Sequence, residues 1–176
     1  MDKLLETALY YKNNLIKRKF KFDLARKNKN ITIFVAFKAV NFKHLLGLHK
    51  LTDLPKFSGS SVSIYQSILN NRLIFEDVIK SKYYQQIEER INNVVNIKRL
   101  LFSKELFFKS LKGEFSLHIK ADYLVAQKIS NQYMYLFLKQ EENYVAPVSF
   151  FCDDSDKYFR QNAASWKILE VEEIIE

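Results

Sequence analysis

The chain has 176 residues, 48% of them apolar and 15% aromatic, with 28 Lys/Arg against 20 Asp/Glu and a formal net charge of +8. That much apolar material lets a chain of this size bury roughly 70% of its unfolded surface, which excludes a disordered polymer. A single cysteine, Cys152, excludes a disulfide framework within the chain. No window approaches the ~18 consecutive apolar residues of a membrane span. The first residues, MDKLLETALYYKNN, lack the basic-then-apolar pattern of a leader. A cytoplasmic location with no membrane partner is expected. The charge is uneven: residues 1–60 hold 13 Lys/Arg against 4 Asp/Glu, and residues 140–176 hold 3 against 9. Such asymmetry points to a basic face and a polyanionic partner. A codon bias toward Lys, Asn, Ile, Phe and Tyr is the competing explanation.

Residues 2–18 read as an amphipathic helix, with Leu4, Leu5, Ala8, Leu9, Leu15 and Ile16 near helical spacing. Asp2 is placed to cap its first turn, and Lys17 and Arg18 suit the C-terminal end of its dipole. The period then drops to two. KFKFDLAR and ITIFVAFK predict the strands of a β-hairpin whose KNKN turn is basic through Arg26, Lys27 and Lys29. AVNFKHLLGLHKL alternates poorly, and Gly47 permits a reversal within it. LTDLPKFSGSS is a loop.

Residues 60–113 read as a helical insertion. It comprises a helix capped by Ser60 or Ser61, a short helix at FEDVIKS, a long one over YYQQIEERINNVVNIKRLLF, and a short helix or turn at LFFKSLKG. From 114 onward EFSLHI, ADYLVAQKI, YMYLFLKQ and VAPVSFF read as successive strands, with EEN as a hairpin loop and a last strand at WKILEVEEII. Pro147 marks a sheet edge or a bulge. The expected fold is α+β, one domain over residues 1–176. It has a mainly antiparallel sheet, with an N-terminal helix and a helical insertion between an N-terminal hairpin and a C-terminal meander.

Several chemistries are excluded. No GxGxxG or GxxxxGK(S/T) supports a dinucleotide or P-loop site. Three scattered histidines and one cysteine give no zinc spacing. Asp153 and Asp154 beside Cys152 disfavour a thiolate nucleophile. The DDSD loop reads as a solvated acidic loop, without a second carboxylate cluster for two-metal catalysis. No metal and no cofactor is expected.

A metal-free route remains. Cleaving RNA through its 2′-hydroxyl needs a base, an acid and a cation over the phosphate oxygens. His44 flanked by Lys43 offers the first parts, and His118, Lys120 and Asp122, on one face if 114–122 is a strand, offer more. Asn162, Ser165 and Lys167 stand near the last strand. A core histidine at 44 and a solvent-facing row at 118–122 are the competing readings.

NFKHLLGL, then a helical insertion, IKADYLVAQK, a YLFL strand turning into NYVAP, and a final strand follow one another in this order. The chain resembles the phage-associated barnase–EndoU–colicin–RelE-like nucleases over roughly residues 1–172. The most specific piece is Phe42-x-His44-Leu45-x-Gly47; the second is Asp122 in KADYLV. The resemblance implies a metal-independent endoribonuclease-like toxin or effector of a phage or mobile element, acting on RNA, with tRNA among the substrates to consider. It implies His44 as catalytic base or acid, and Lys120 and Asp122 match the second motif. One departure is Leu46, where the family often carries Thr.

On the first reading, His44 and Lys120 are catalytic, with Ser165 and Lys167 across the cleft, and Lys43, Arg26, Lys27, Lys29, Asp122 and Asn162 bind substrate. On the second, an inactive module of the same fold blocks a host nucleic-acid machine, such as a defence system, by binding protein or nucleic acid. An antitoxin or host protein is then a further partner class. A structural protein with evenly dispersed charge is the third reading.

Overall fold

The computed structural model describes residues 1–116, 118–160 and 163–175. Leu117, within the expected strand EFSLHI, and Asn162 lie outside the described residues. The helices are α1 (Lys3–Asn14), α2 (Ala39–Leu45), α3 (Ser61–Leu69), α4 (Phe75–Ile79), α5 (Glu88–Asn93), α6 (Ile97–Phe102) and α7 (Lys157–Arg160). The strands are β1 (Arg18–Arg26), β2 (Lys29–Ala36), β3 (Leu106–Ser110), β4 (Tyr123–Ile129), β5 (Gln132–Gln140), β6 (Val145–Asp153) and β7 (Ala163–Ile175). The fold is α+β, and the sheet closes into a barrel in the order β1-β2-β6-β5-β4-β3-β7. Every neighbouring pair is antiparallel except β2 and β6, which meet in parallel at Val35 and Val145.

The N-terminal helix forms as its pattern predicts, but it is shorter. Asp2 accepts the Leu4 and Leu5 N–H groups at 3.0 and 3.1 Å, and its other oxygen takes the Phe75 N–H at 2.9 Å, so one carboxylate starts α1 and holds the start of α4. The chain leaves the helix at Leu15 and turns at Lys17 in the left-handed region, φ 61°. Arg18 therefore opens β1 instead of closing the helix. The expected hairpin forms, pairing from Lys19–Ala36 to Arg26–Lys29, so its turn is only Lys27 and Asn28 and the second half of KNKN already belongs to β2.

Three expectations change. Residues 83–102 do not form one helix; they break into 3-10 turns and the short helices α5 and α6. β-Branched and Asn residues there hold the chain weakly in a helix, and burial of Ile87, Ile91, Val94, Ile97, Leu100 and Leu101 against the barrel decides its path. LFFKS is strand β3, not a helix, because it fills the place between β4 and β7 that closes the barrel. In place of the expected strand EFSLHI the described residues close back on themselves: Phe115 N–H donates to the Ile119 carbonyl, and Ser116 and Ile119 form an isolated bridge. Pro147 sits beside a register slip between β5 and β6, where a missing N–H does least harm.

The main core fills the barrel and continues into the helices, from Leu4 to Val171. A second apolar cluster, with Phe108, Phe115, Leu124, Tyr135 and Phe137 buried, is contributed by alternate residues of β3, β4 and β5 and by Phe115, Ile119 and Ala121. Both faces of β4 and β5 are therefore buried. This second core supports one wall of the groove described next.

Candidate active site

Helix α2 buries Phe42 and Leu45, with Leu46 just beyond it. Phe42 packs on Tyr11 and Tyr65 with ring centroids 5.1 and 4.8 Å apart. With positions 42, 45 and 46 inward, His44 is exposed on the opposite side, and the competing core-histidine reading fails. Gly47 then reverses the chain at φ 77°. A Cβ at this position would lie 2.7 Å from Ile87 Cγ2 and 3.0 Å from Arg90 Cδ, so both the conformation and the space require glycine. The reversal carries His49 back onto His44, with ring centroids 4.6 Å apart and planes 38° from parallel.

These two rings form one side of a groove of about 830 Å³. Lys50 joins them, Gln86, Glu89 and Arg90 come from the helical insertion, and Val148, Ser149, Phe151 and Cys152 from β6. His118, Ile119 and Lys120 close the far side, with Tyr158 of α7. All three histidines of the chain thus meet in one groove with Lys50, Arg90 and Lys120.

The environment tunes these groups. His49 keeps an open edge, yet packing of its ring, with the positive fields of His44 and Arg90, pushes its pKa down to about 4. A ring N–H donates to the Lys43 carbonyl, which opposes the shift, and near neutral pH the imidazole is uncharged. Burial, then the neighbouring Arg90, also lowers the Lys50 pKa. Burial and then Glu89 push the Cys152 thiol up to about 11, which disfavours a thiolate near neutral pH. Asp153 is engaged locally: it accepts the Ser155 N–H and hydroxyl, both at 2.9 Å, and pairs with Lys157 at 3.1 Å. Among the described residues no group of three or more His, Cys, Asp or Glu side chains could hold a metal ion.

The other residues singled out in the sequence fall in different places. Lys120 is in the groove, but not by strand alternation. The Ser116–Ile119 turn presents His118, Ile119 and Lys120 together. Asp122 is an anchor: its carboxylate takes the Gln140 N–H at 2.8 Å, and its backbone ties Ser110 to Leu138. Lys43 donates to the Gly59 carbonyl at 2.7 Å and holds a loop. Leu46 is fully buried, so a hydroxyl at this position would face the core and not the groove.

Ser165 and Lys167 are not brought to the groove. They lie on β7 between β1 and β3, on the barrel wall away from β6. Alternation with buried Ala164, Trp166 and Ile168 points both outward. Arg26, Lys27 and Lys29 form the exposed tip of the first hairpin. Because β2 and β6 run parallel, that tip lies at the end of the barrel opposite the groove.

His49 and Arg90 carry no sequence motif. The signal for His49 was its place five residues after His44 across a glycine; Arg90, on an irregular helical stretch, had none.

A model of the family described as phage-Barnase-EndoU-ColicinE5/D-RelE like nuclease4, or PBECR4, matches residues 3–172. The chain belongs to the PBECR4 family. No curated protein and no solved structure matches it. The PBECR4 match runs from the first residue of α1 into β7, so it includes every wall of the groove. Membership of a nuclease-like family implies nucleic acid as a partner. No helix among the described residues is long and apolar enough to cross a membrane.

Proposed function

We propose that this PBECR4 protein is a metal-independent endoribonuclease, acting in the cytoplasm as a toxin or effector of a phage or mobile element. The observation that carries the reading is the meeting of His44, His49 and His118 with Lys50 and Lys120 in one groove. The word phage in the family description supports the mobile-element origin.

The reaction divides among these groups. His49, neutral at pH 7, takes the proton of the 2′-hydroxyl, whose oxygen attacks phosphorus. The bond from phosphorus to the 5′-oxygen breaks, and a second imidazole, His44 beside it, returns a proton to that leaving oxygen. The products are a 2′,3′-cyclic phosphate and a free 5′-hydroxyl. Lys120 and Lys50 offset the charge on the non-bridging oxygens as it grows in the transition state.

The test is incubation with a panel of RNAs, tRNA included, in EDTA. Cleavage leaving 2′,3′-cyclic phosphate ends, and lost in His44→Ala with an unchanged circular dichroism spectrum, is the expected result. Intact RNA across the panel overturns the reading.

A second reading is favoured by the hairpin tip. Arg26, Lys27 and Lys29 are exposed and stand apart from the groove, as a separate binding surface would. Here an inactive chain blocks a host nucleic-acid machine, or binds an antitoxin or other protein, through that tip. Charge reversal at the three positions then abolishes binding, and His44→Ala is silent.

A further inference from the structure

Arg90 is the least ordinary charged residue of the groove. It comes from α5, is half-buried, and has no carboxylate within ion-pair distance among the described residues. Taking a guanidinium partly out of water without an anion is costly, so such a residue is retained where it has another task. Glu89 also faces the groove but does not pair with it.

Two contacts hold Arg90 in place. Its guanidinium carbon lies 5.4 Å from the centroid of the Phe151 ring on β6. The ring attracts the cation and fixes the head group against β6 within the groove. Its stem runs past Gly47, where only the missing Cβ makes room for Arg90 Cδ. The same glycine therefore brings His49 onto His44 and admits the arginine beside them. Its charge reaches both neighbours, His49 and Lys50. Three cations, from α5, from the segment after α2 and from the 118–120 turn, face one space. Glu89 and Asp153 also line this space, but Asp153 is engaged by Ser155 and Lys157 and neither carboxylate pairs with the three cations, which repel one another.

We propose that Arg90 is the phosphate-binding fork of the groove, set in place against Phe151 and Gly47, and that it takes two oxygens of a phosphate group. A planar fork suits the paired oxygens of a phosphate better than a point charge does. The inference rests on the groove being a site of phosphodiester chemistry, and it names the residue that recognises the phosphate.

The experiment titrates the full-length chain with inorganic phosphate at constant ionic strength, following ring resonances of His44 and His49 by NMR. Saturable shifts are expected in the wild type. In Arg90→Lys, which keeps charge but loses the fork, affinity falls about tenfold or more. In Arg90→Met, which keeps the stem, binding is lost. Peptide mapping after phenylglyoxal treatment of the wild type gives a measurement independent of any variant: phosphate should slow modification of Arg90.

Equal phosphate binding in folded Arg90→Met overturns the proposal, as does Arg90 modification that phosphate leaves unchanged. An adventitious ion-strength effect appears as equal shifts with chloride, and also overturns it. Phosphate binding that depends on Arg90 without RNA cleavage overturns the nuclease and leaves the fork standing. Normal cleavage by Arg90→Met does the reverse.

Discussion

Two walls of the barrel carry many charges and use them in opposite ways. On the β1–β7 wall cations and carboxylates neutralise each other. Glu173 accepts from Arg18 at 2.6 Å and pairs with Lys98 at 2.8 Å, and Lys21 lies 3.0 Å from Asp23 and 3.6 Å from Glu172. On the groove wall Lys50, Arg90 and Lys120 have no ion pair among the described residues. Paired surface charges contribute little and hold strands in register. Unpaired cations packed around histidines sustain a positive field that a polyanion can relieve. Net charge alone therefore misleads: two cations of the basic N-terminal third, Arg18 and Lys21, pair with the acidic C-terminal strand.

The largest expected effect separates the walls by activity. His44→Ala and His49→Ala each lower RNA cleavage by about 10²–10⁴-fold, the range for a lost acid or base, with thermal unfolding nearly unchanged. Gly47→Ala comes next. A left-handed alanine and the overlap with Ile87 together cost about 2 kcal/mol or more, read as a lower urea midpoint, and cleavage is lost with the misplaced histidines.

Stability against pH then tells the walls apart. The His49 pKa falls from an ordinary 6.5 to about 4 on folding, so the unfolded chain binds the proton more tightly. Its contribution to stability is complete above pH 6.5 and is lost as pH falls to about 4. His49→Gln should flatten that part of the curve. On the other wall, Glu173→Gln costs about 1 kcal/mol and leaves cleavage untouched. Its carboxyl is held below the usual range chiefly by hydrogen bonding to Lys98, so its contribution is lost only in more acidic solution. The smallest effects belong to Ser165→Ala and Lys167→Ala, within about 0.5 kcal/mol in stability and silent in cleavage. A large cleavage loss in either would return β7 to the site.

What the sequence determined by itself is local. The Asp2 cap, the first hairpin, and the strands β4 to β7 in order follow from side-chain period and turn residues that act over a few positions. His44 and Lys120 were legible as candidate residues because each lies in a short motif, and both line the groove. Tertiary structure decided the rest. LFFKS has no alternation and becomes a strand only because β4 and β7 leave a place between them. Residues 83–102 keep helical spacing but are bent around the barrel by the burial of their apolar side chains. Ser165 and Lys167 have the chemistry of a site but face outward on the wrong wall, which only barrel closure determines. His49, Arg90 and His118 lie on three separate segments with no shared period. They meet because Gly47 reverses the chain, α5 packs across that reversal, and the second apolar core raises the 118–120 turn beside it.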